Sequence, residues 1–269
     1  MNKTDINNWE QFEEKTREVY QRTRKLKEDR TTYVSPLLFR GQHDEKWKLE
    51  STLDRIKAKT HVKEYYKIIR SVKSPIESFT SNYWPLPNLD IEIKEFYENE
   101  NHRPSMEYYQ FMTHLRHQGF PTPLLDWTRS PYIAAFFAFN EAKKQDVAIF
   151  MYNEYVGHCK IWDSTEARLL TMGPNVTTHK RHHLQQSEYT FCIKKDKKEQ
   201  LYYTSHEEVF EMEDKHQDLL EKYVIPFSQK SIFLSKLNQM NINAHFLFET
   251  EEGLMNKLSN EKFIIDEFC

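Results

Sequence analysis

Cysteines are too few and too scattered in this sequence to form a disulfide framework. Only three occur among 269 residues, namely Cys159, Cys192 and Cys269, and no two of them have the CxxC spacing. An odd number of cysteines without that spacing fits a reducing compartment. We interpret the three thiols as buried or idle.

The sequence also lacks a strong excess of charge and any long apolar run. Its formal net charge of -3 gives no overall attraction to DNA, RNA or anionic lipid, so a nucleic-acid partner would have to be met by a local basic cluster. No stretch approaches the roughly 18 apolar residues that a membrane span needs, and the N-terminus has no signal-peptide pattern. The sequence predicts a cytoplasmic protein without a membrane partner.

Histidines occur without a metal-binding spacing. His114 and His117 are three residues apart, and His179, His182 and His183 form a later cluster. The sequence contains no HExxH motif and no Cys/His ladder, so we expect no metal. His117 is interpreted as a hydrogen-bonding or proton-transfer group.

Aromatic and aliphatic residues are abundant enough for a folded core. Hydrophobic residues make up 38% of the chain and aromatic residues 14%, a composition that is unlike that of disordered proteins. Apolar residues such as Trp9, Phe12 and Val19 recur near helical spacing, which predicts an amphipathic helix at residues 5–29. No internal repeat or flexible linker forces a division of the remaining chain.

Apolar runs and turn signals predict the other elements. Strands are predicted at residues 37–41, 147–152, 157–162, 189–193, 201–204, 223–227 and 245–248. Helices are predicted at residues 62–75, 105–117, 131–144, 229–240 and 251–258, and the proline-rich residues 82–104 are predicted to be irregular. The expected fold class is α/β (α+β), with a mixed central sheet of several short strands flanked by helices.

Short motifs occur in a fixed order along the chain. Phe39-Arg40-Gly41-Gln42 comes first, a long block runs from His117 to Pro131 and on through residues 134–138, and weaker blocks follow at residues 181–191 and 225–254. Over roughly residues 35–260 the chain thereby resembles the FRG domain family, which is named after its Phe-Arg-Gly triplet. Pro123 stands where the family usually has an arginine. The resemblance implies an N-terminal helix at residues 1–30 and an FRG domain at residues 31–269.

Three of these segments also look like the layout of ADP-ribosyltransferases. The parts are Arg40 after an apolar strand, Thr128 before an alanine- and phenylalanine-rich helix, and Glu188 in a Gln-x-Glu triplet. In that superfamily an arginine grips the dinucleotide, a serine or threonine braces the site, and a glutamate orients the ribose. The likeness implies NAD as co-substrate, a related architecture, a protein or nucleic-acid acceptor, and an effector or toxin role, including bacterial or phage defence.

The same segments suit anion binding on chemical grounds. An arginine presents a rigid fork for phosphate, and Ser130-Pro131 predicts a helix start whose amides favour an anion. The catalytic candidates are Arg40, His117, Thr128 and Glu188, and the nucleotide-binding candidates are Arg40, Gln42, Asp126, Ser130 and Gln186. The structural alternatives are an ion pair of Arg40 with Asp126 or Glu50, and a plain N-cap role for Ser130.

We expect Arg40, His117, Asp126 and Thr128 to converge on one site, and Trp47 and Trp127 to be buried in the core. The alternative function is a non-catalytic module that binds protein or nucleic acid, and a metal-dependent nuclease is a further alternative. An Arg40 that is open in a cleft would favour the enzyme. A sealed pair with Asp126 would favour the binding module.

Overall fold

A computed structural model describes residues 2–28, 33–99, 102–155, 166–174, 176–177, 180–210 and 218–265. These residues form an α/β fold with an eight-stranded mixed sheet, which confirms the expected fold class. The strands are β1 (Asn2–Asp5), β2 (Leu38–Gln42), β3 (Leu125–Thr128), β4 (Val147–Asn153), β5 (Arg168–Met172), β6 (Ser187–Lys195), β7 (Leu201–Tyr203) and β8 (Leu219–Ile225).

Ten α-helices lie among the described residues. They are α1 (Trp9–Glu28), α2 (Thr52–Ile56), α3 (Val62–Thr80), α4 (Leu89–Glu98), α5 (Met106–His117), α6 (Pro131–Asn140), α7 (Lys180–Leu184), α8 (Lys230–Gln239), α9 (Ala244–Phe248) and α10 (Glu251–Phe263). None of these helices is long and apolar enough to cross a lipid bilayer.

The sheet consists of two halves that meet at β2 and β3. The strand order is β1-β8-β4-β2-β3-β6-β5, with β7 also paired to β6, and every pairing except that of β1 with β8 is antiparallel. β2 pairs with β4 over five residues, but it pairs with β3 only at Phe39 and Thr128. The junction between the halves therefore has a single registered pair.

Strand alternation gives the sheet two distinct faces. On the helical face, Phe39 and Ile149 pack with α1, α6 and α8, and Tyr189 packs with α3 and α5. The registered row Phe39, Thr128 and Ser187 joins these two helical cores on one side of the sheet. The opposite side, which we call the loop face, buries a smaller cluster that includes Leu38, Trp127, Phe150 and Leu49.

Two helices begin at the predicted residues, where a serine side chain caps each N-terminus. The Ser130 side chain accepts a hydrogen bond from the Ile133 amide, and Pro131 occupies the first turn, where its missing amide costs no helical bond. Ser105 caps α5 in the same way, through the Tyr108 amide. The predicted starts of α5 and α6 are thereby confirmed.

Four predicted elements differ from the structure. α3 continues through Pro75 to Thr80, although a proline inside a helix removes the bond of its own nitrogen and crowds the carbonyl four residues earlier. Residues 82–104 include α4, which Asn88 caps and whose Phe96 is buried. Residues 2–5 extend into β1, whereas a helix was predicted from residue 5. Residues 245–248 are helical as part of α9, because so short an apolar run does not distinguish a strand from a helix.

The predicted strand at residues 157–162 lies outside the described residues. Conversely, β5 was not predicted, although Leu169 and Leu170 are buried and the strand forms five pairs with β6. Its short run of five residues carries too little periodicity to be identified without its partner strand.

The two tryptophans have different environments. Trp127 is 3% exposed, and its indole Nε1 donates to the Thr190 hydroxyl over 2.7 Å. Trp47 is 45% exposed and contacts only the edge of His43 and the guanidinium of Arg55 among the rings and cations described. The expectation of burial is confirmed for Trp127 and wrong for Trp47, because the loop that carries Trp47 lies at the surface.

We expect Trp127→Ala to lower the free energy of unfolding by about 3 to 5 kcal/mol, because it removes a buried indole and leaves the Thr190 hydroxyl without that donor. Trp47→Ala is the matched control and should cost less than about 1 kcal/mol. Urea denaturation of both variants measures the difference. Equal losses in the two variants would contradict this description of the core.

Gly41 allows α6 to lie directly on β2. A Cβ at this position would stand 1.9 Å from the Ala134 carbonyl oxygen and 2.6 Å from the Ala138 nitrogen. Both of these atoms belong to the helix backbone, so no side-chain rotation can relieve the clash.

We expect Gly41→Ala to destabilise the fold by about 1 to 3 kcal/mol or more, since the helix must move away from the sheet. Gly173→Ala is the control, because a Cβ there meets no atom within 4 Å among the described residues. Thermal unfolding followed by circular dichroism compares the two variants. A Gly41→Ala protein with the wild-type melting temperature would refute the close approach.

Candidate functional site

The Arg40 side chain forms a hydrogen bond within the sheet. Its Nη1 donates to the backbone carbonyl of Asp126 over 2.6 Å, at the point where β2 and β3 no longer pair. If the register continued, Gly41 would lie opposite Asp126, so the guanidinium replaces a missing backbone donor. Burial lowers the pKa of Arg40 to about 10, and its Nε is buried without a hydrogen-bond partner among the described residues. Arg40 therefore contributes to joining the two halves of the sheet.

The carboxylate of Asp126 pairs with a different arginine. Nε and Nη2 of Arg116, on α5, donate to its Oδ2 over 3.0 and 2.6 Å. Burial by itself would raise the pKa of Asp126, but the charge and hydrogen bonds of Arg116 outweigh it and lower the pKa below its ordinary value. The ion pair considered between Arg40 and Asp126 is thus replaced by a bond from Arg40 to the main chain. The side-chain pair is formed by Arg116.

His117 belongs to a polar cluster on the helical face. Its Nε2 lies 2.8 Å from the Tyr189 hydroxyl, and the ring of His182 stacks on Tyr189 with 5.7 Å between centroids. His182 Nε2 also lies 2.9 Å from the Pro174 carbonyl oxygen. This cluster stabilises the packing of α5 and α7 on β6.

The catalytic candidate Thr128 and the binding candidates Ser130, Gln42 and Gln186 make local bonds. Thr128 Oγ1 accepts from the Ser130 amide over 3.1 Å, and the Ser130 hydroxyl caps α6. Gln42 is buried, and its Nε2 donates to the Lys48 carbonyl over 3.2 Å. Gln186 has a positive φ of 48°, and its carbonyl accepts from the Arg129 amide. Thr128, Ser130 and Gln186 thus make contacts within turns and caps, and Gln42, at the end of β2, bonds to the loop that follows.

The residues expected to converge divide between the two faces of the sheet. Arg40 alternates with Phe39 and Gly41, so it projects on the loop face with Leu38. Asp126 and Thr128 alternate with Trp127 and therefore project on the helical face. The four side chains do not form one cavity, although Arg40 and Asp126 touch through the main chain.

Glu188 lies on the loop face, in a polar cavity of about 220 Å³. Glu188 lies on β6 directly opposite Trp127 of β3, and its carboxylate accepts a hydrogen bond from Nε of Arg129. The side chain of Glu188 is 4% exposed and that of Arg129 is 45% exposed. Burial raises the pKa of Glu188, and the neighbouring Arg129 offsets only part of this effect. A buried carboxyl with a raised pKa at a cavity wall suits acid–base or charge-stabilising chemistry.

Three further polar residues line this cavity beside Arg129 and Glu188. Arg103 precedes α5, Glu154 follows β4, and Ser35 lies before β2. The Ser35 hydroxyl oxygen accepts from the amide of Glu154 over 3.0 Å, which fixes the end of β4 at the cavity. The sequence did not identify these residues as candidates, because only the strand register brings them together. Arg129 had a local signal, since it is a charge between a buried strand and a helix cap.

Metal binding has no support in the described part of the chain, where no group of three His, Cys, Asp or Glu side chains could hold an ion. His179, from the histidine cluster noted in the sequence, lies outside the described residues.

Part of the chain matches a known protein family. Residues 35–147 match the model of the FRG domain. Over these residues the chain is similar to the FRG domain family. No curated protein and no solved structure gave a significant match to the chain.

The FRG domain match contains Arg40, Asp126 and Arg129 but ends before Glu154 and Glu188. The cavity is therefore built from the matched region together with β4, β5 and β6, which carry the chain beyond it. The division into a helix at residues 1–30 and an FRG domain at residues 31–269 stays a prediction. In the structure, Trp9 and Phe12 of α1 pack in the same core as α6 of the FRG domain.

We expect Arg40→Lys to lower the free energy of unfolding by about 1 to 3 kcal/mol, because the ammonium lacks the planar fork that reaches the Asp126 carbonyl. Arg17→Lys, at an exposed position of α1, is the matched control and should be neutral. Urea denaturation measures both. Unchanged stability of Arg40→Lys together with weaker nucleotide binding would instead identify Arg40 as a phosphate ligand.

Proposed function

We propose that the cavity on the loop face binds the nicotinamide ribosyl part of NAD and that the protein transfers ADP-ribose to an acceptor. The observation that carries this proposal is the buried carboxyl of Glu188 at the cavity wall, with the guanidinium of Arg129 directly beside it. A carboxylate and a phosphate-binding cation at one small cavity are the two charges that this reaction requires.

The reaction breaks the bond between ribose C1′ and the nicotinamide nitrogen, and the bonding electron pair leaves with neutral nicotinamide. Positive charge then develops on the ribose ring, where an ionised Glu188 stabilises it. The acceptor nucleophile forms the new bond to C1′ and loses its proton to the Glu188 carboxylate. Because its pKa is raised, this carboxylate is a stronger base than that of an ordinary glutamate. Arg129 and Arg103 hold the phosphate oxygens.

The residue roles differ from those first inferred from the sequence. Glu188 keeps its proposed catalytic role, and Arg129 replaces Arg40 as the arginine that grips the dinucleotide, because Arg129 lines the cavity and Arg40 bonds within the sheet. The proposed acceptor is a protein or a nucleic acid. An effector or toxin role, including one in bacterial or phage defence, would follow from such a transfer.

A non-catalytic binding module is the second candidate. Arg40 favours it, because the arginine of the Phe-Arg-Gly triplet donates to the main chain at the junction of β2 and β3. Under this alternative the motif residues stabilise the fold, and the protein neither binds nor cleaves NAD.

We expect the wild-type protein to release nicotinamide from labelled NAD, and Glu188→Gln to reduce the turnover rate at least 100-fold. The amide keeps the size of the side chain but cannot become the anion that stabilises the ribosyl cation. Glu98→Gln, on the exposed surface of α4, is the matched control and should retain full activity. Melting temperatures of both variants separate a catalytic loss from unfolding.

The pH dependence offers a second readout of the same experiment. Because burial raises the pKa of Glu188, its reactive anion should be lost, and the rate should fall, at a higher pH than for an ordinary glutamate as the solution is acidified. A folded wild-type protein that neither binds nor cleaves NAD would overturn the proposal and favour the binding module.

A further inference from the structure

A second cavity adjoins the Glu188 cavity on the side of α1. It has a volume of about 340 Å³ and shares two lining residues, Pro36 and Arg129, with the first cavity. The side chain of Arg129 therefore stands between the two compartments. A ligand held by Arg129 can extend into both.

The first cavity alone is small for a dinucleotide. Its volume of about 220 Å³ is below the roughly 300 to 1,000 Å³ that is usual for small-molecule sites. Adding the second compartment of about 340 Å³ brings the combined space into that range. A dinucleotide that binds here would therefore have to occupy both compartments.

The lining of the second cavity combines a flat apolar wall with cations. Tyr20 and Pro36 supply apolar surface, and the Tyr20 ring, 45% exposed, lies against the buried Phe39 at 6.2 Å between centroids. Arg24, Lys27 and Arg129 supply three positive charges, and no carboxylate is among the described lining residues. An aromatic wall binds a base by stacking, and clustered Arg and Lys side chains bind phosphate.

We propose that this second cavity binds the adenylate half of the dinucleotide, with the base against Tyr20 and the phosphates between Lys27, Arg24 and Arg129. This inference rests on the proposed function, because it assigns the other half of the same ligand. Arg129 then contacts the diphosphate at the boundary of the two cavities, and α1 becomes part of the substrate site.

The ordinary interpretation of these residues is a solvated helix surface. Arg24 has an exposed ion pair with Glu28 at 3.6 Å, and an exposed basic residue in the last turn of a helix is common. Two facts favour a ligand site over this interpretation. The cations line the same cavity as an apolar wall, and this cavity shares Arg129 with the Glu188 cavity.

The test compares ligands that fill one or both compartments. The double variant Arg24→Gln/Lys27→Gln should bind ADP at least 10-fold more weakly by isothermal titration calorimetry. It should also raise the KM for NAD at least 10-fold while leaving kcat nearly unchanged. Nicotinamide release from nicotinamide mononucleotide, which lacks the adenylate, should be unaffected. Lys25→Gln, on the same turn of α1 but outside this cavity, is the control and should match wild type.

A further variant separates the base from the phosphates. Tyr20→Leu should weaken ADP binding but leave inorganic pyrophosphate binding unchanged, because it removes the stacking ring, with its hydroxyl bond to the Arg129 carbonyl, and none of the three cations. Wild-type cleavage of NAD with unaltered ADP affinity in the double variant would overturn the second compartment and leave the proposed function intact. A wild type that cleaves NAD but binds no ADP would do the same. Failure to bind or cleave NAD at all would overturn both.

Discussion

The junction between β2 and β3 is the constraint on which the rest of the structure depends. The two halves of the sheet share only one registered backbone pair, Phe39 with Thr128. Two interactions from the Phe-Arg-Gly triplet compensate for the missing ladder. Arg40 donates to the Asp126 carbonyl on one side, and Gly41 admits the backbone of α6 on the other. Since α6 follows β3 in the chain and packs on β2, the triplet and the helix together hold the halves in place.

The early separation of β2 from β3 also determines where the polar residues of the cavity lie. Thr128 is the last residue of β3 and the one at which β3 pairs with β2. Arg129 therefore leaves the sheet there, and its side chain contacts Glu188 on the neighbouring strand β6. On the helical face, Asp126 is neutralised by Arg116. The pairs Arg116–Asp126 and Arg129–Glu188 thus lie on opposite faces, and of these two the pair on the loop face lines the polar cavity with further charges of both signs.

Features that are encoded locally could be predicted from the sequence, whereas those set by strand register could not. Ser105 and Ser130 identified two helix starts, because a cap needs only residues that are three positions apart. The burial of Trp127 was predicted from its apolar neighbours, but Trp47 has similar neighbours in sequence and lies at the surface. The face of the sheet on which the Arg40 side chain lies depends on which residue of β2 faces α6. A shift of one residue in register would move that side chain to the other face. Glu154 and Arg103 join Glu188 only through long-range pairing, for which the chain has no local signal.

The arrangement of Arg129 explains how one residue could serve both compartments of the proposed site. Its Nε bonds to Glu188, which leaves the donors of its two terminal nitrogens for other acceptors. With 45% of the side chain exposed, those donors are accessible from the cavities. A phosphate could therefore bind the outer edge of the guanidinium while the inner edge keeps its hydrogen bond to Glu188. A lysine in this place would have a single charged nitrogen for both partners, and phosphate and carboxylate would then compete for it. The planar fork is the property that would let a buried carboxylate and the proposed anionic ligand share one cation.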